Sequence, residues 1–229
     1  AALVDGVPGN PRNPHGTHVR FDRGDGTLAI FELGLRPAVA DIEPLEPEKG
    51  VPQEPAVKTH ETYEPISKYA VGYWRYTSRF DDLTAIDSLG NPLRRVNRGA
   101  YFFAEQAVYR EKDDPSQGLA LFFRYGVASG DVNTLDYSYS LGLRYKGLLP
   151  GRDEDEFGIG LTRGHAGAKF RQAAAIPLAP DETALEITYR ARVAPWLAIQ
   201  PTVQRIANPG HDPALGKAWV AGARFEIAF

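Results

Sequence analysis

The sequence predicts an all-β fold, a transmembrane antiparallel β-barrel, on three observations. Apolar and polar residues alternate with period two in segment after segment. Many of these segments run to about 9–12 residues, longer than the usual strand of about five or six but suited to crossing a bilayer at a tilt of roughly 45°. The links between them alternate short and long, as periplasmic turns and outer loops do in outer-membrane barrels.

Taken in chain order, residues 27–36 place Phe31, Leu33 and Leu35 opposite Glu32, Gly34 and Arg36. Residues 69–77 and 100–110 read as strands with less clean faces, and the facing of 100–110 is not assignable from its pattern. In 119–127, Leu119, Leu121, Phe123, Tyr125 and Val127 oppose Arg124 and Gly126. In 137–146, Tyr137, Tyr139, Leu141, Leu143 and Tyr145 oppose Ser138, Ser140, Gly142, Arg144 and Lys146. Residues 157–161 form a shorter segment with glycine on the alternate face. In 185–193, Leu185, Ile187, Tyr189, Ala191 and Val193 oppose Glu186, Thr188, Arg190 and Arg192. Residues 197–205 carry Gln200, Thr202 and Gln204 on one face, and 219–229 set Trp219, Phe225, Ile227 and Phe229 against Arg224 and Glu226. The expected count is nine strands.

A soluble sandwich also alternates, so the pattern alone leaves both folds open. Two details favour the barrel. Tyr, Trp and Phe crowd the apolar faces near strand ends, like interfacial girdles, while Arg, Lys, Glu and Gln occupy mid-strand positions on the other face, which suits a wet interior.

With the last strand descending, short links fall at one end (111–117, 148–154, 194–196) and longer ones at the other (78–99, 129–135, 164–183, 207–217). The exception is 37–68, a Pro/Glu-rich insertion on the nominally short, periplasmic side, whose composition suggests an extended or partly ordered segment. Ahead of the first strand, residues 7–26 make a loop and only Ala1–Gly6 remain for an ascending strand. The expectation is that the sequence is the C-terminal part of a longer single barrel, or that a partner chain supplies the rest.

Composition narrows the chemistry. The 229 residues suffice for one large domain, and no apolar run approaches the roughly 18–20 residues of a membrane helix. Cysteine is absent, which excludes disulfides, thiolate metal sites and cysteine nucleophiles. Methionine is absent too, so a processed or truncated start is expected, and no signal peptide is visible. A net charge of -3 gives no global field for nucleic acid, and no nucleic-acid partner is expected.

The segments LVDGVPG (3–9), FELGLRP (31–37), LFFRYGVASGDVN (121–133) and IQPTVQRIANPG (199–210), with the terminal GARFEIAF (222–229), resemble the carbohydrate-selective porin family, the OprB-like porins. The run Gln200, Pro201, Gln204, Asn208, Pro209 and Gly210 is the most specific part. The resemblance implies a 16-stranded barrel in the bacterial outer membrane that passes small sugars down a gradient, with about seven strands beyond this sequence. Small sugars and outer-membrane lipid are the implied partners, and a homotrimer is possible because porins often form one. No cofactor is implied. The insertion at 37–68 departs from the family pattern.

Nine residues are candidate channel-lining groups: Glu32, Arg124, Arg144, Glu186, Arg190, Gln200, Gln204, Arg224 and Glu226. Arg offers a fork of donors and Glu offers acceptors, so together they suit vicinal hydroxyls. The alternative is that they salt-bridge across neighbouring strands and stiffen the wall. Facing lipid is the costly placement, about 2–4 kcal/mol for a midplane Arg. The histidines at 15, 18, 60, 165 and 211 fall in loops or the insertion, and His15 and His18 lack a third metal ligand nearby. The acidic segments 22–26 and 151–156 lack EF-hand spacing, and no residue is a candidate metal ligand or catalytic group. Three function classes follow: sugar diffusion, an outer-membrane hydrolase, and a structural or binding barrel whose insertion docks a periplasmic or cell-wall partner. No suggestive Ser-His spacing supports the second.

Overall fold

The computed structural model describes residues 1–6, 26–37 and 67–228. Most of the 37–68 insertion, His15, His18 and His60, all of segment 22–26 but Gly26, and Phe229 lie outside the described residues. The described residues form ten strands in one antiparallel sheet, each paired with its neighbours in sequence. They are β1 (Ala2–Asp5), β2 (Thr27–Leu35), β3 (Lys68–Ile86), β4 (Pro92–Arg110), β5 (Gly118–Ala128), β6 (Leu135–Lys146), β7 (Glu156–Ala166), β8 (Asp181–Ala194), β9 (Leu197–Ala207) and β10 (Lys217–Ile227). A short helix, α1 (Ala168–Ala173), lies between β7 and β8.

Register turns the alternation of each strand into continuous rows. Ala104, Phe123, Leu141, Leu161 and Leu185 run side by side from β4 to β8 on one face. Phe103, Arg124, Ser140, Thr162 and Ala184 do the same on the other. Because side chains repeat every two residues, a slip of one would send every charge to the greasy side, so the register is strongly specified. Outward rows end in rings: Tyr109 and Tyr145 sit 6.4 Å apart towards the short-link end, and Tyr125 and Tyr137 sit 6.3 Å apart towards the long-link end.

Among the described residues no second sheet covers the apolar face. Phe31 is 60% exposed, Leu33 65% and Trp219 69%, and among the described residues no large side chain is fully buried. A sandwich would bury these rows as its core. The hydrophobic face instead has the form of a surface made for hydrocarbon.

Four expectations need correction. There are ten strands rather than nine, because Ala2–Asp5 pairs with Thr27–Ile30 as a further strand. The segment 78–99 is not a long loop: β3 and β4 continue through most of it as a tall hairpin, leaving only residues 87–91 as its turn. β5 ends opposite Gly99 and β2 ends opposite Tyr76, so the hairpin rises beyond both neighbours. Outside the membrane both of its faces meet water, and polar residues on both faces erase the period-two signal. The insertion ends before Lys68, which already belongs to β3, and β7 extends beyond the short apolar segment at both ends, from Glu156 to Ala166.

The facing of β4 also becomes clear. Tyr101, Phe103 and Glu105 pair with the inward positions Gly126, Arg124 and Phe122. A β-bulge between Ala107 and Tyr109 then shifts the parity, and Tyr109 pairs with outward Leu119. One extra residue is enough to scramble the pattern along a strand.

Candidate functional site

The charged face of the sheet is its hollow face. A concavity of about 470 Å³ is lined by Glu32 on β2, Lys68 and Ala70 on β3, Tyr101 and Phe103 on β4, Arg124 on β5, and Ser138 and Ser140 on β6. Tyr101 donates its phenolic proton to the Glu32 carboxylate at 2.6 Å, reaching across β3. Gly72 makes that reach possible, because a Cβ at 72 would lie 2.1 Å from the Tyr101 ring. Beside it, the Arg124 guanidinium lies over the Phe103 ring at 5.2 Å, a cation–π contact.

A second hollow, of about 340 Å³, lies further along the same face. Its lining includes Phe122, Arg144, Glu156, Glu186, Arg190 and Gln200. Phe122 lies over Gly142, where a Cβ would come within 2.6 Å of the ring. Arg144 pairs with Glu156 at 3.1 Å, and Gln200 donates to the Thr188 hydroxyl at 3.0 Å. Gln204 donates to Glu186, a directly opposed neighbour on the adjoining strand. Arg190 crosses β9 to reach Glu226 on β10 at 2.8 Å, and Arg224 approaches the same carboxylate at 3.6 Å.

All nine sequence-predicted residues therefore share one face, but they do not form one cluster. Glu32 and Arg124 belong to the first hollow; Arg144, Glu186, Arg190 and Gln200 belong to the second; Gln204, Arg224 and Glu226 extend the second set towards β10. Most engage partners across strands, as the stiffening alternative expects. Such pairs still present unused lone pairs and N–H groups to the hollow, so stiffening and solute contact are compatible. Charge is nearly balanced: Glu32 faces Lys68 and Arg124, while Glu105, Glu156 and Glu186 face Arg144 and Arg190.

Sequence reasoning missed the aromatic members Tyr101, Phe103 and Phe122. The bulge hid the facing of the first two, and Phe122 sits among apolar neighbours in a strand read only by its alternate residues. It also missed a collar at the long-link end. There the buried Asp82 carboxylate, on the projecting part of β3, accepts from Lys169 of α1 at 2.6 Å and from Arg95 of β4 at 3.0 Å. Lys169 also reaches Asp131, between β5 and β6, at 2.5 Å, and the Leu83 amide donates to the Asp131 carbonyl at 2.9 Å. Asn97 and Asn133 exchange side-chain hydrogen bonds alongside. β3 and β7 are four strand spacings apart, roughly 19 Å along the sheet, so the hairpin must lean over the β5–β6 link to meet α1. Lys169 and the Ala85 amide hold Asp82 well below the usual carboxylate range, against the opposing effect of burial. Asp131 and then Asp82 push Lys169 up.

Comparison with known proteins places this architecture. A family model described as carbohydrate-selective porin, OprB family, matches residues 1–229. Porin B of Pseudomonas aeruginosa is 27% identical over 234 residues, covering 91% of this chain and 49% of that protein. The high-pH structure of Pseudomonas putida OprB is similar with a TM-score of 0.73 at 24% identity, covering 89% of this chain and 49% of that one. The low-pH structure gives 0.58 at 22% identity, covering 91% and 48%. The chain spans about half the length of the relatives it matches. A sheet with one hydrocarbon-facing side and one hollow charged side, matched along its whole length by one family model, belongs to the carbohydrate-selective porins of the OprB family, proteins of the bacterial outer membrane.

Proposed function

We propose that this chain forms wall of an outer-membrane pore through which small carbohydrates diffuse passively, with the hollow face as the water-filled lumen. The observation that carries the reading is the juxtaposition of Glu32, Tyr101, Arg124 and Phe103 in one concavity. A sugar presents hydroxyls on its rim and C–H groups on its faces, so it needs donors, acceptors and an aromatic surface together. Balanced charge suits a neutral solute, since neither sign dominates the path. Passage of this kind needs no nucleophile, metal or cofactor.

On this reading Arg124 and Glu32 contact the solute, and Arg144, Glu186, Arg190, Gln200, Gln204, Arg224 and Glu226 line the path beyond them. The test is single-channel conductance in planar bilayers with added mono- and disaccharides. The expected result is an open channel whose current falls in a sugar-dependent way. Arg124→Ala should weaken that block by about tenfold, equivalent to about 1.4 kcal/mol, while the variant still assembles. Unchanged sugar block and ion selectivity would remove Arg124 from the path. A channel indifferent to every sugar would overturn the reading itself.

A further inference from the structure

Arginines also occur where the membrane reading leaves no lumenal role for them. Arg75 on β3 and Arg98 on β4 are directly opposed in register, and Ala29 on β2 lies beside Arg75 in the same row. Arg75 shares the face of Tyr69, Val71 and Tyr73, and Arg98 the face of Ala100 and Phe102, which is the outward face of the wall. Both are exposed, and neither makes an ion pair or a side-chain hydrogen bond among the described residues. Like charges directly opposite on a sheet repel, with Cβ atoms about 4.5–5.5 Å apart. Nothing in β2, β3 or β4 offsets that repulsion. The nearby Asp81 is already held by Arg94 at 2.7 Å, and Asp5 stands two strands away on β1.

The pair also has a consistent place in the molecule. It lies where the membrane-crossing part of β4 ends, one residue from the Gly99–Ala128 pairing that closes β5. Outward-facing Arg163, Arg205 and Lys217 stand at the same end of β7, β9 and β10. Of these, Arg163 is occupied by Asp181, whereas Arg205 has no such partner among the described residues. At the short-link end of the outward face the strands carry Tyr69, Tyr109, Tyr145, Phe157 and Tyr189 and no lysine or arginine. Among the described residues the basic charge of the lipid-facing side is therefore confined to one membrane surface.

We propose that Arg75 and Arg98 form a docking site for a phosphate group of an outer-leaflet lipid. A phosphate placed between two guanidiniums converts their repulsion into paired charge-assisted hydrogen bonds, and the Arg fork matches its oxygens. Just below the pair, Tyr73 and Phe102 supply the apolar surface that acyl chains would cover. The site rests on the outward face meeting lipid, as the pore reading requires, but it does not depend on which solute passes.

The test uses the protein purified in neutral detergent, with bisphosphorylated lipid A and its dephosphorylated form as probes, read by native mass spectrometry. The expected result is retention of the phosphorylated lipid, with retention reduced about tenfold or more in Arg75→Gln/Arg98→Gln. The dephosphorylated lipid should bind wild type and variant alike. Arg75→Lys/Arg98→Lys should keep part of the affinity, because it keeps charge and loses the fork. Sugar-blocked conductance of the Gln variant should match wild type; if it is lost in every form, the pore reading fails rather than the lipid site. Equal retention of the two lipids by wild type overturns the proposal even if the Gln variant does not assemble. Dissociation of a protein oligomer in the Gln variant, with lipid retention unchanged, also overturns it in favour of a contact between copies.

Discussion

Tyr101 reaches Glu32 only because position 72 has no side chain, so the contact between β4 and β2 rests on an atom that is absent from β3. Gly72→Val should drive the ring off the carboxylate and cost about 1–3 kcal/mol through overpacking. The check is the temperature at which the folded, heat-modifiable band is lost, compared with Tyr101→Phe, which keeps the ring and removes only the hydroxyl. A second single-residue effect lies in the short link between β6 and β7. Asp155 is buried, and its carboxylate accepts from the Tyr189 hydroxyl and Arg152 at 2.6 Å and from the Arg192 amide at 2.8 Å. Burial pushes its pKa up, but these donors together outweigh it and the net shift is downward. A depressed folded-state pKa gives stability that is present above the unfolded carboxylate value and lost as pH falls through the folded one. Asp155→Asn should therefore cost about 1–3 kcal/mol at pH 7, and the gap to wild type should shrink as melts are repeated towards about pH 3.

At the level of elements, the collar makes the tall β3–β4 hairpin a part of the mouth rather than a free arm. Lys169→Ala removes the cation that, among the described residues, touches both Asp82 and Asp131. The hairpin should then swing, raising single-channel conductance and speeding protease cleavage at the already exposed 87–91 turn; an unchanged cleavage rate and current would show that Arg95 and the backbone bond from Leu83 suffice. Because Asp82 is shifted down and Lys169 up, the clasp persists between the two, and wild-type conductance should stay flat from about pH 5 to 9. These elements also show what the sequence discloses. β5, β6 and β8 were legible because each has one side in hydrocarbon and one in water, which writes the period directly into residue type. Beyond the membrane that contrast disappears, so the upper halves of β3 and β4 were not legible. The bulge after Ala107 hid Tyr101 and Phe103 from view. The shared face of Glu32, Arg124 and the other seven charged or amide residues was readable, whereas their division into two hollows depends on diagonal reach between strands, which no linear pattern encodes.

For the whole molecule, we propose that residues 38–66 are dispensable to the pore. Leu35 pairs with Tyr69, so the ends the insertion joins already lie side by side. Replacing 38–66 with a four-residue turn should leave membrane yield and conductance at wild-type levels, measured on the same preparations, because a shorter link only lowers the entropy cost of closing the hairpin. Loss of the channel would make the insertion part of the wall. The sheet has a further property as a whole: each described strand from β2 to β9 pairs with the one before it and the one after it. A ribbon laid down in this order finds its place beside the most recent arrival, with no long search through the rest of the chain. At each stage of assembly just two rims of unmet backbone polarity remain, however wide the growing wall becomes. The demand on whatever shepherds it into the bilayer is thus constant: guard one seam, add a stitch, and move on.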